Sequence, residues 1–433
     1  MSARAGGRGK HPIPSPAAAF TAALLVLASG GWAATERMAV SAVVDPAAGT
    51  IVSEVRLTVV PEPGAEVVEL LLNRRLEVTR VGADVGLAGF EHVTAGDGPY
   101  RYAPQATPLR LWLAAPASGG PILVELGFRG TVEPDAYGVI QNRDGWVELA
   151  AAYSGWAPVD PGAGTFALEL RLRLPDGWRA VGTGGLRDVE GVWIAARERA
   201  RDVVFIAAPG LQRIEVGGAL SIHHVDLAEG VPELVAADAE RVLELLTGWF
   251  GPAPSGSLDL VFTPRASGGG YARAGLVVMP SDSAPAADSG PQRGFVRFLA
   301  HELAHLWWQG ADATSWEDWL NESFAETSAL MVVRELFGEA AWSELLEGYR
   351  EASAGLAPVR GIDRDDEAAW AVLYRKGPVL LAELEAAVGR DAFLGFLRAR
   401  LADGCATTEA CLATLARSVS PEARARLEAA LDR

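Results

Sequence analysis

The amino-acid sequence predicts a multidomain chain of mixed α and β structure: a β-rich N-terminal domain of sandwich or saddle type, then a mostly helical domain. Three observations predict it. Within residues 36–225, segments alternate polar and apolar residues at period two, as half-buried strands do. Turn signals such as Pro61-Glu-Pro-Gly64, Pro175-Asp-Gly177 and Gly182-Thr-Gly-Gly185 punctuate that region. From about Val231 the apolar spacing becomes that of helices.

The elements follow in order. Arg4, Arg8 and Lys10 precede a small-apolar run from Ala17 to about Ala28, and Gly31-Trp32-Ala33 offers a small-x-small cleavage site. That layout is a secretory signal peptide over residues 1–33, so export to a periplasmic or extracellular compartment is expected. The run is shorter than the roughly 20 apolar residues a spanning helix needs. Retained, it would serve as an N-terminal membrane anchor; no other segment is long and apolar enough to span. The β-rich domain then occupies 34–228, with Ser53–Val60 and Phe166–Leu174 as its clearest strands. A second domain, 229–433, opens with a helix from Pro232 to Phe250, proline in its first turn and Gly251 past its end. Leu258–Phe262 and Gly275–Met279 read as short strands. Helices are expected over about 291–309, 318–337, 340–354, 367–388 and 391–402, and a last one opens at Ser420-Pro421.

Composition narrows the function. With 38 Lys+Arg against 55 Asp+Glu the chain carries −17, and loss of residues 1–33 removes three positive charges to leave −20. Such a balance does not suit a protein that grips nucleic-acid phosphates. Two cysteines cannot staple a chain this long, although Cys405 and Cys411 are close enough in sequence to pair in an oxidising compartment. Six histidines limit any metal or acid–base site to a short list.

Two of the six stand in His301-Glu302-Leu303-Ala304-His305, inside an apolar-periodic helix with Phe298, Leu299, Leu303 and Leu306. Four residues apart on one helix, both imidazoles project from one face and can bind one ion. Glu302 is then placed to act on a metal-bound water rather than on the metal. A catalytic zinc usually takes three protein ligands and a water, so a carboxylate from a second helix is expected. Glu322, in Trp319-Leu-Asn-Glu322-Ser-Phe-Ala-Glu326, is the candidate, and Glu326, on the same face, can orient a ligating histidine. Asp318 suits the start of that helix better than the metal. One zinc ion per chain is expected. His11, His92, His223 and His224 have no partners at ligand spacing.

The segments His-Glu-Leu-Ala-His-Leu-Trp-Trp (301–308), Trp-Leu-Asn-Glu-Ser-Phe-Ala (319–325) and Tyr-Arg-Lys-Gly (374–377) resemble the gluzincin metallopeptidases that include the membrane alanyl aminopeptidases and leukotriene A4 hydrolase. The resemblance covers about residues 40–400. It implies a β-rich N-terminal domain followed by a thermolysin-like, mostly helical catalytic domain. It also implies His301, His305 and Glu322 as zinc ligands, Glu302 as general base, and Tyr374 as the residue that hydrogen-bonds the tetrahedral intermediate. Those roles agree with the chemistry: zinc acidifies its water and polarises the scissile carbonyl, and a phenol beside it donates to the developing oxyanion. Lys376 is expected to fix local structure.

Three departures temper the match. Sixteen residues separate His305 from Glu322, two fewer than the family pattern has. The family's Gly-x-Met-Glu-Asn segment, whose glutamate grips a substrate's free amine, reads Gly269-Gly-Tyr-Ala-Arg273 here, with Ala272 at the glutamate position. The length leaves room for the helical tail of a catalytic domain but not for the large C-terminal domain of many relatives, so a more open cleft is expected. Gly275–Met279 reads as the cleft's edge strand, able to bind an extended peptide by strand addition, with Gly268–Gly270 permitting close approach. Gly269, Gly270, Tyr271 and Gly275 are the candidate substrate-facing residues. The function expected is an exported zinc metallopeptidase, most simply an aminopeptidase, acting on peptide. An endopeptidase or other amide or epoxide hydrolase, suggested by Ala272, and a non-catalytic zinc-containing peptide-binding module are the alternatives.

Overall fold

The computed structural model describes residues 34–135, 140–143, 145–162, 164–265, 269–287 and 290–433. The expected secretory segment 1–33, His11 and Gly268 lie outside the described residues.

Alternation builds the first domain. Thr50–Val60 buries every second residue, and it is flanked antiparallel by Ala34–Asp45 and Ile122–Thr131. Ala34–Asp45 also pairs in parallel with Phe166–Arg173, and three further strands complete a seven-stranded sheet. Its buried face, including Val55, Leu57, Leu126 and Leu170, shares one apolar core with residues of two smaller sheets. Leu70, Leu109 and Leu111 come from a three-stranded sheet, and Val147, Leu149 and Phe205 from a four-stranded one. Sheet-on-sheet burial of this kind is the expected sandwich.

A five-stranded sheet joins the two halves. Leu220–His224, Leu258–Thr263 and Leu276–Pro280 run parallel, with Gln212–Val216 antiparallel at one edge and Tyr271–Arg273 antiparallel at the other. Its central strands are buried on both faces, as parallel strands generally are. Val261, Leu276 and Val278 pack into the N-terminal core, whereas Leu260, Phe262, Val277 and Met279 pack against the helices. The Gln212–His224 hairpin, inside the expected 34–228 domain, pairs through its second strand with Leu258–Thr263. One expectation changes here: the edge strand is not Gly275–Met279 but the three-residue Tyr271–Arg273, which caps it. A strand that short has little alternation to read.

The helices lie at Val231–Phe250, Arg293–Ala304, Trp319–Phe337, Glu339–Ser353, Gly377–Val388, Arg390–Asp403, Thr408–Ser418 and Pro421–Leu431. The helix expected to 309 ends at His305, because Leu306 and Trp308 turn back on Leu303 and Ala304 carbonyls. Thr408–Ser418 is an addition, and its signal was present: Thr407 caps it through the Ala410 N–H, as Ser420 caps the last helix through Ala423. Cys405 and Cys411 are buried free thiols in this region.

The two halves are also tied by charge. Arg265 donates to Glu148 at 2.6 Å, both side chains being fully inaccessible, and Tyr271 donates to the same carboxylate oxygen at 3.0 Å. Arg265 further donates to Thr263 and to the Gly269 carbonyl. Removing one partner of a buried pair leaves an uncompensated charge, which costs about 3–5 kcal/mol. Glu148→Ala should therefore lower the stability measured by denaturant unfolding by about 3 kcal/mol or more. A loss below about 1 kcal/mol would show that the pair does not hold the halves together.

Candidate metal centre and substrate cavity

His301 and His305 stand one turn apart at the end of the Arg293–Ala304 helix, and Glu322 stands in the first turn of the Trp319–Phe337 helix packed against it. Three atoms converge. His301 Nε2 and His305 Nε2 are 3.2 Å apart, and Glu322 Oε2 lies 3.3 and 3.4 Å from them. A tetrahedral zinc with ligand bonds of 2.0–2.1 Å has ligand–ligand edges of about 3.3–3.4 Å, so the triangle is close to one face of such a tetrahedron. Glu322 Oε2 is buried and makes no hydrogen bond, an orphan acceptor of the kind a cation satisfies. The residues fit the metal.

The outer nitrogens are fixed by the protein. His301 Nδ1 donates to Glu326 Oε2 at 2.8 Å, and His305 Nδ1 donates to the Trp308 carbonyl at 3.0 Å. Each bond leaves Nε2 as the free lone pair for the ion. Glu326 makes the contact that an orienting role requires, and Arg297 and Tyr349 donate to its other oxygen. Arg297 had a signal, since it lies one turn before His301; Tyr349, on the Glu339–Ser353 helix, had none local to the motif.

Charge in this buried set is strongly perturbed. Burial alone would lower His301, but the Glu322 and Glu326 carboxylates raise it to about 10 in the metal-free protein. Burial likewise opposes and Glu322 outweighs it at His305, which is also raised. Glu326, despite burial, is held at about 2 by His301 and Arg297. Glu302 is pushed up by burial, with both histidines opposing.

These groups open onto a cavity of about 900 Å³ between the domains. Glu302 lines it and faces Gly270; a Cβ on Gly270 would lie 2.4–2.7 Å from the Glu302 carboxyl end, so any larger residue there would displace that carboxylate. Gly269 and Tyr271 line the cavity too, but the Tyr271 hydroxyl is committed to Glu148. Gly275 is placed elsewhere: with φ +79° it turns the hairpin between Tyr271–Arg273 and Leu276–Pro280 and is not part of the cavity wall. Tyr374 stacks on His301 at 5.5 Å, and its hydroxyl is held well above its ordinary pKa, first by burial and then by the negative charge of Glu322. Lys376 donates to the Leu356 and Ala357 carbonyls, a fixing role as expected. Asp318 precedes the glutamate helix but makes no capping bond. Its carboxylate pairs with Arg364 at 3.0 Å on the cavity wall and is raised to about 7, first by burial and then by Glu322. Of the other histidines, His92 bonds the Leu72 carbonyl, His223 bonds Asp259 at 2.9 Å, and His224 is buried in a strand.

Metal affinity should carry the sign of these shifts. Ligation requires neutral imidazole, and His301 is an imidazolium below about pH 10 without metal. Titrating metal-free protein with zinc at pH 7 should release at least one proton, and affinity should fall as pH drops. Calorimetry in buffers of different ionisation enthalpy measures the release; none would contradict the assignment.

Known proteins resemble this chain in sequence and in fold. Residues 239–420 match the peptidase family M1 domain. Aminopeptidase M1-A of Oryza sativa subsp. japonica is 31% identical over 173 residues, covering 36% of this chain and 20% of that protein. Aminopeptidase M1 of Arabidopsis thaliana is 28% identical over 171 residues, covering 35% and 19%. The chain thus spans about a fifth of the length of these relatives. Among solved structures, the M1 zinc metallopeptidase of Deinococcus radiodurans superposes with a TM-score of 0.72 at 20% identity over 93% of this chain and 94% of that one. Yeast LTA4 hydrolase bound to bestatin gives 0.74 at 18% identity, covering 92% and 66%. The fold is that of these structures, and residues 239–420 are similar to the peptidase family M1 domain.

Proposed function

We propose that this protein is an exported zinc-dependent metallopeptidase that removes residues from the free N-terminus of peptides. The observation that carries the reading is the 3.2–3.4 Å triangle of His301, His305 and Glu322 with Glu302 beside it on the cavity wall. The names of the relatives support the aminopeptidase activity, and the composition of residues 1–33 supports export.

Zinc held by the three ligands would polarise the scissile carbonyl and acidify a water. The chain's own residues do the rest. Glu302, buried and raised in pKa, accepts a proton from the attacking water and returns it to the departing amine. Gly270 leaves the space that Glu302 and a peptide must share. Tyr374, kept protonated by its surroundings, donates a hydrogen bond to the oxygen that gains charge. Glu326 holds His301 in the tautomer that faces the ion.

One observation favours a second reading, an endopeptidase or other amide hydrolase. Ala272 offers no carboxylate to a substrate amine, and Asp318, on the cavity wall, is already paired with Arg364. Comparing matched free and N-acetylated peptides separates the two: an aminopeptidase loses the blocked substrate by about a hundredfold or more, whereas comparable rates establish the second reading. Glu302→Gln should keep zinc and lose kcat by roughly two to four orders of magnitude. Tyr374→Phe should cost kcat about tenfold to a thousandfold. Unchanged hydrolysis by zinc-loaded Glu302→Gln would refute the mechanism.

A further inference from the structure

The residue after Glu322 is a serine whose hydroxyl does something its neighbours do not. Thr327 and Ser328, lower on the same helix, donate to the carbonyls four residues back, Ser323 and Phe324, at 2.7 and 2.8 Å. Ser323, fully buried, instead reaches across to the Leu373 carbonyl at 2.7 Å. Leu373 immediately precedes Tyr374.

The local backbone explains why that carbonyl is available. Val372–Lys376 is a π-helical stretch, in which the Gly377 N–H bonds Val372 rather than Leu373. In the same pattern the Leu373 carbonyl should accept from residue 378, which is proline and has no N–H. The π turn and Pro378 together orphan a buried carbonyl, and such a group needs a donor. The Ser323 hydroxyl is that donor. Gly377 makes the approach possible, since a Cβ there would lie 2.0 Å from Ser323 Oγ.

We infer that Ser323 is a positioning residue for Tyr374: its hydroxyl holds the π turn that presents the phenol to the cavity. This rests on the role proposed for Tyr374 above. Tyr374 is otherwise held by its ring, which stacks on His301 and on Trp370. A tether at the Leu373 carbonyl fixes the backbone and leaves the hydroxyl free to donate elsewhere. Without it, Leu373 regains a partner by relaxing the turn toward an ordinary helix, which rotates Tyr374 away from His301.

The test is a mutant cycle with an independent structural readout. Ser323→Ala should bind zinc at parent stoichiometry, lose kcat about tenfold with KM changed less than about twofold, and speed amide exchange in 372–377 of the metal-free protein. In the Tyr374→Phe background Ser323→Ala should cause no further loss, because both changes remove one donor. Adding Pro378→Ala, which supplies the missing N–H, should return Ser323→Ala to within about threefold of parent kcat and restore slow exchange; this pair also serves if Ser323→Ala alone folds poorly. Losses that multiply across Ser323→Ala and Tyr374→Phe, or exchange in 372–377 that Ser323→Ala leaves unchanged, would overturn the proposal. Should the parent prove inactive, the proposed function fails separately, and the exchange arm alone decides this inference.

Discussion

The structure depends on one electrostatic constraint: a buried glutamate, Glu322, facing two imidazole nitrogens with no proton of its own to share. A carboxylate out of water needs positive charge close by, and here it comes from whatever sits between His301 and His305. Protons fill that role in the metal-free protein, which is why His301 is raised so far. A divalent cation fills it better, because one charge centre then meets all three donors. The surrounding elements serve this arrangement: two packed helices bring the donors together, and Glu326, Arg297 and Tyr349 lock the first imidazole from behind.

The proposed hydrolase needs more than the metal site; it also needs the cavity wall opposite. That wall belongs to the five-stranded sheet, whose faces are buried in the cores of both halves. The Arg265–Glu148 pair therefore acts at the seam. Through the Gly269 carbonyl it fixes the segment leading into Tyr271–Arg273, where Gly270 meets Glu302. Glu302, the proposed base, is thus positioned by the N-terminal domain as well as by its own helix. On that proposal the β-rich half has a part in the chemistry as well as in holding the fold.

Much of this was legible because the donors lie within short stretches of regular helix. His301, Glu302 and His305 share one turn, and Glu322 and Glu326 share the next helix, so periodicity put each set on one helix face, while zinc's need for a third ligand and the family resemblance paired the two sets. The long strands Thr50–Val60 and Phe166–Arg173 were visible for the same reason. What stayed hidden depended on contacts between distant segments. Sheet membership of the 212–224 hairpin, the three-residue edge at Tyr271–Arg273 and the placement of Gly275 at a turn are set by pairing, not by pattern. Tyr349 is far from the motif in sequence, and the bond from Ser323 to Leu373 spans 50 residues. The π turn at 372–376 was likewise unreadable, because an ordinary helix has the same apolar spacing over so short a run.

Zinc K-edge X-ray absorption on the purified, zinc-loaded protein tests the central claim most directly. His301, His305 and Glu322 predict a four-coordinate shell of nitrogen and oxygen at about 2.0–2.1 Å, with outer-shell scattering from two imidazoles. The same spectrum from Glu322→Ala should lose one oxygen scatterer or the metal itself. A sulfur shell near 2.3 Å, or a spectrum without imidazole scattering, would contradict the account.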